Sequence, residues 1–176
     1  MASRTDETRE PPSAPATRAA GAARLLALLL PTALLAGALG SQYLGGLYPC
    51  EMCYWQRWPH GAAILLALIA FTAPARSGRA RTFTLLAATG IAISGVIGVY
   101  HAGVEAGIFE GFTTCTALAT GGTPEDMLRQ ITQAPLVRCD QVQWSFLGVS
   151  MAGWNAILSL GGAAAIAWLL FRDSRA

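Results

Sequence analysis

The stretch YPCEMCYWQRWPH (residues 48–60) sets Cys50 and Cys53 at the edge of an apolar run, with Arg57 four residues after the second thiol. A pair at this spacing supports three chemistries: metal ligation, a structural bridge, or electron exchange by opening and closing a disulfide. A structural zinc site takes four ligands. The chain has one Cys-x-x-C pair, Cys115 and Cys139 are separated by 23 intervening residues, and only His60 and His101 could complete the set. We expect no metal. As a staple the close pair is weak, because so small a ring stabilises a fold by only about 2 kcal/mol. Its advantage is speed, since each thiol stays beside its partner after reduction. A ring joining Cys115 to Cys139 is larger, and closing it from a mobile reduced state costs about 3.5 kcal/mol, which makes such a bridge more oxidising. Two purely structural disulfides remain the alternative.

Arg57 falls one helical turn after Cys53 if a helix begins near Tyr54. There its cation favours the Cys53 thiolate and can stabilise negative charge on a reduced carbonyl acceptor. The plain alternative is an interfacial arginine that snorkels to the headgroups. Glu51, between the thiols, pulls against thiolate formation. His101 and Glu105 are spaced to pair on a helix. His101 is placed to relay a proton to an acceptor, or else is a partly solvated helix-end residue. Trp144 and Trp154 read as belt and core aromatics.

The elements that must position these groups are apolar. Of 176 residues, 53% are hydrophobic and 12% charged, about half the charge of a soluble domain. The basic residues are arginines without lysine and the net charge is +2, which gives no dense basic face for nucleic acid. Residues 1–22 are polar and rich in Pro and Ala, and read as a disordered tail. Residues 23–176 read as one membrane domain. Its apolar runs cover Leu25–Tyr48, Trp58–Ala75, Thr82–Gly103 and Phe146–Phe171, each of about the length that crosses a bilayer. The first run also resembles a signal peptide, with AGA at 36–38, but apolar sequence continues past that point. Small residues such as Gly90, Ser94, Gly95 and Gly98 allow close helix approach. TPEDMLRQITQAP (123–135) reads as a short helix capped by Thr123, with Met127, Leu128 and Ile131 on one face.

Nine of the twelve arginines lie in the N-terminal segment up to Arg24, in the 76–81 loop or after Phe171. By the positive-inside rule these segments are cytoplasmic. The expectation is an all-α, four-helix transmembrane bundle, N-in and C-in. Its outer loops, about 48–60 and 104–145, each carry two cysteines.

CEMCYWQR at 50–57, Cys115, and CDQVQWSFLGVSMAGW at 139–154 together resemble the DsbB family of bacterial inner-membrane thiol:quinone oxidoreductases. The resemblance covers roughly residues 25–171. It implies that Cys50 and Cys53 face a bound ubiquinone or menaquinone, that Arg57 supports its reduction, and that His101 lies near it. It further implies that Cys115, paired with Cys139, is attacked by a periplasmic DsbA-like thioredoxin-fold oxidase. Cys139 would then attack Cys50, and electrons would leave from Cys53 to the membrane quinone pool. A non-catalytic membrane scaffold is the alternative from another class. A vitamin K epoxide reductase-like enzyme fits less well, because its loop cysteines are arranged differently.

Overall fold

A computed structural model describes residues 14–111, 123–133 and 137–175. In chain order the elements are α1 (Ala14–Tyr43), α2 (Glu51–Phe71), α3 (Gly78–Glu105), α4 (Pro124–Gln133), β1 (Ser145–Phe146), β2 (Val149–Ser150) and α5 (Met151–Arg175). The four long helices pack side by side: α1 and α3 each lie against both α2 and α5. Three of them, α1, α3 and α5, are long and apolar enough to cross a membrane. The fourth, α2, has 21 residues and carries Glu51, Gln56, Arg57 and His60 in its first half.

The helix ends follow local chemistry. Cys50 caps α2, its sulfur accepting from the Cys53 amide, so the helix starts at Glu51 rather than near Tyr54. Ser77 caps α3 through the Ala80 amide, and Ser150 receives the Gly153 amide at the start of α5. Thr123 caps α4 through the Asp126 amide, as its sequence implies; the side chains of Met127 and Ile131 lie outside the described residues. At its N-terminal end α1 reaches Ala14, nine residues into the segment read as tail. The Ala-rich stretch has high helix propensity, and Ala20 and Ala23 are buried. The last apolar run is helical only from Met151. Residues 145–150 form a hairpin whose two turn residues, Leu147 and Gly148, both take positive φ.

The interior is built from small residues. Ala23, Ala27, Ala63, Ala67, Ala87 and Ile91 form one cluster with Ile166 and Leu170. A Cβ on Gly98 would stand 3.0 Å from the Ala152 carbonyl oxygen, so α3 and α5 touch almost backbone to backbone there. Large apolar side chains point the other way: Leu29, Leu65, Val96 and Trp168 are each more than half exposed. A surface this greasy around a small-residue core suits lipid rather than water. Arg24 ties α1 to the end of α2, donating to the Ala70 and Ala73 carbonyls at 3.1 and 2.8 Å.

Candidate functional site

Capping α2 with a cysteine has a chemical consequence. It holds Cys50 at the helix mouth and places Cys53 in the first turn, sulfur to sulfur at 3.1 Å in the dithiol form. Cys50 is buried and Cys53 is partly exposed. The Cys53 thiol lies ahead of the apolar part of the helix that starts at Trp58. It is lowered to about 7 by the hydrogen bond from Cys50, against the opposing effect of burial, with help from the Arg57 charge. The hydrogen bond to Cys53 and burial push Cys50 up. Both shifts favour ionisation at Cys53 over Cys50.

Arg57 is held from α1. Its guanidinium donates to Gln42 Oε1 and, at 3.1 Å, to the Ala38 carbonyl, and it lies 5.2 Å from the centre of the Tyr54 ring. Its buried Nε has no partner among the described residues. Cys139 packs in one buried cluster with Cys50, Met52 and Val104. The loop cysteine is thus brought onto the dithiol. Cys115 lies outside the described residues.

His101 enters from α3, Nε2 3.5 Å from Cys50 Sγ, and its ring N–H also faces the Cys139 carbonyl as an acceptor. The expected neighbour Glu105 is close, at 3.9 Å from Nε2, but beyond hydrogen-bond length. Behind the thiols runs a buried polar chain. Gln56 bridges His101 Nδ1 (2.8 Å) to Asn155 (2.7 Å), and Asn155 meets His60 Nε2 (2.9 Å), Ser94 (3.1 Å) and Ser159 (3.0 Å). Neither Gln56 nor Asn155 stands out in the sequence, and His60 does so only as a zinc candidate. The signal that could have found them is polarity inside apolar helices: Gln56 with His60, and Asn155 with Ser159, each sit one turn apart.

The dithiol, Arg57 and His101 open onto a cavity of about 670 Å³, walled by Leu34, Leu35 and Ala38 of α1 and by Trp144, Met151 and Trp154. Its walls are mostly apolar, and its size suits a small organic ligand. Donor atoms of Cys50, Cys53 and His101 lie within 4.8 Å of one another, a spacing a metal could use. However, Gln56 donates to His101 Nδ1, whereas a metal-bound imidazole uses its second nitrogen as a donor. That hydrogen bond does not fit a ligating imidazole, and we derive no metal chemistry from the cluster.

Together these features define a helical membrane protein with a buried dithiol facing a cavity. The family model for "Disulfide bond formation protein DsbB" matches residues 20–169. The Shewanella sp. (strain MR-4) disulfide bond formation protein B is 33% identical over 134 residues, covering 73% of this chain and 74% of its own. Its namesake from Azoarcus sp. (strain BH72) is also 33% identical, over 168 residues, covering 79% and 85%. That from Stutzerimonas stutzeri (strain A1501) is 24% identical and covers 84% and 93%. No solved structure matches. The chain belongs to the DsbB family, and its role is disulfide bond formation at a membrane.

Proposed function

We propose that the protein is an inner-membrane thiol:quinone oxidoreductase that reoxidises a periplasmic DsbA-like partner. The observation that carries this reading is the placement of a reactive dithiol between a loop cysteine and an apolar cavity: Cys139 packs on Cys50, while Cys53 and Arg57 line the cavity wall. In this reading all four long helices span the bilayer, with both termini cytoplasmic and the cysteine loops periplasmic, as the arginine asymmetry favours.

This reading places a ubiquinone or menaquinone ring in the cavity, whose walls are mostly apolar and whose lining includes the Arg57 cation. A quinone bound there supplies the acceptor for two electrons and two protons. The protein's own groups do the rest. A partner thiolate attacks Cys115 of a Cys115–Cys139 disulfide, and Cys139 leaves with the bonding electrons. Cys139 attacks the Cys50 sulfur of the second disulfide, and Cys53 leaves as the thiolate that its surroundings favour. Arg57 holds that charge beside the cavity and stabilises negative charge developing on an acceptor oxygen.

Capture of the first covalent step tests the direction of the relay. A reduced partner with one cysteine is mixed with the fully oxidised protein, and the mixed disulfide is trapped by acid quench. The bond should map to Cys115. Capture at Cys50 or Cys53, with Cys115 left unreacted, would reverse the relay. A scaffold held by two structural disulfides is disfavoured by the placement of Cys53 and the Arg57 cation together on the cavity wall.

A further inference from the structure

His101 touches both partners of the inner exchange step: the Cys50 sulfur at 3.5 Å and the main chain of Cys139. What it can do there depends on which ring nitrogen carries the proton, and that is set by the hydrogen bond the other nitrogen makes. The surrounding chain of amides decides it. A side-chain amide has one donor end and one acceptor end. The end of Gln56 that reaches His101 Nδ1 at 2.8 Å also lies 3.2 Å from the Met52 carbonyl oxygen. A carbonyl only accepts, so this end is the NH₂ group. The other end is then the oxygen, and it receives the Asn155 amide nitrogen at 2.7 Å. Asn155 is oriented independently in the same sense, because its nitrogen also lies 3.2 Å from the Ser94 carbonyl. Two main-chain carbonyls on two helices thus fix both amides. His101 Nδ1 must accept, and the neutral ring carries its proton on Nε2. That N–H is shared between the Cys50 sulfur and the Cys139 carbonyl, while Glu105 Oε1, at 3.9 Å from the nitrogen, is too far to compete.

We propose that Gln56 and Asn155 are positioning residues that keep the His101 proton on Nε2, facing the Cys50 sulfur and the Cys139 carbonyl, so that His101 stabilises charge when it appears on that sulfur rather than binding the electron acceptor. The consequence for turnover rests on the relay proposed above. Once Cys50 is joined to Cys139, the partner's second thiolate attacks the partner sulfur of the mixed disulfide and Cys115 leaves as a thiolate; the outer disulfide is restored when that thiolate attacks the Cys139 sulfur. A Cys115–Cys139 bond forms, the Cys50–Cys139 bond breaks, and the Cys50 sulfur leaves with the electron pair. The N–H···S contact then becomes charge-assisted at the atom where charge appears. No proton has to move.

The test uses the full chain with Cys53→Ser, Cys115→Ser and Cys139→Ser, leaving Cys50 as the one thiol. Its alkylation by iodoacetamide at pH 7.5 needs neither quinone nor partner, so the outcome is separate from the success or failure of the relay. His101→Leu should slow alkylation about tenfold, the effect of one hydrogen bond to a charged group. Gln56→Leu and Asn155→Leu should slow it as well, and neither should slow it further once His101 is already Leu. Imidazole ¹⁵N signals should show Nδ1 unprotonated and Nε2 protonated. A Gln56→Leu effect of equal size with and without His101 would make Gln56 a structural residue only. An unchanged rate, or a proton on Nδ1, would overturn the assignment.

Discussion

Cys50 and Cys53 are the same side chain in two environments, and the difference sets their order of reaction. With Cys53 lowered to about 7 and Cys50 raised, reduced protein should be alkylated first at Cys53. The rate should follow the thiolate fraction, level above about pH 7 and falling tenfold per pH unit below it. Peptide mapping after short reaction times checks this. A rate still rising up to pH 9, or first modification at Cys50, would remove the asymmetry. Arg57 makes the second residue-scale prediction. Arg57→Met removes the cation beside Cys53 and the cavity, and should raise the apparent KM for quinone about tenfold, the effect of one charged hydrogen bond. It also removes two hydrogen bonds to α1, so some thermal stability should go with it. Unchanged quinone kinetics would reduce Arg57 to an interhelical tie.

At the scale of elements, the close approach of α3 and α5 keeps the polar chain assembled. A side chain on Gly98 would meet the Ala152 oxygen at 3.0 Å and Asn155 Nδ2 at 3.1 Å. Gly98→Val should therefore cost about 1–3 kcal/mol, seen as a lower thermal midpoint in detergent; an unchanged midpoint would mean the helices have room to separate. The sequence announces this contact in its row of small residues, and it announces the long helices through apolar length. It does not announce where they begin. A cysteine cap starts α2 before Tyr54, and alanines extend α1 back to Ala14. The hairpin at 145–150 has no alternating pattern, and its turn rests on Leu147 at positive φ, where such a residue is rarely found. Within the site, the cysteines and Arg57 are legible because their spacing is local. The link between Gln56 and Asn155 spans 99 positions and exists only once three helices pack.

For the whole molecule, the thiols, Arg57 and the cavity gather at one end of the packed helices, while Arg24 and the 76–81 arginines mark the other. If that polarity sets orientation, single cysteines introduced as Thr120→Cys and Gly78→Cys, in a chain otherwise free of cysteine, should differ in labelling. An impermeant maleimide applied to cells with a permeabilised outer membrane should modify position 120 and spare 78. The reverse pattern would invert the topology.

The central claim is that electrons entering at the loop cysteines leave through Cys53 to a quinone in the cavity. Purified full-length protein is mixed with a reduced DsbA-like partner and excess ubiquinone or menaquinone, and loss of quinone absorbance is followed against partner thiols consumed. The account predicts catalytic turnover with one quinone reduced per partner disulfide formed, abolished by Cys53→Ser. Quinone left unreduced while the partner is oxidised, or turnover that persists in Cys53→Ser, would contradict it.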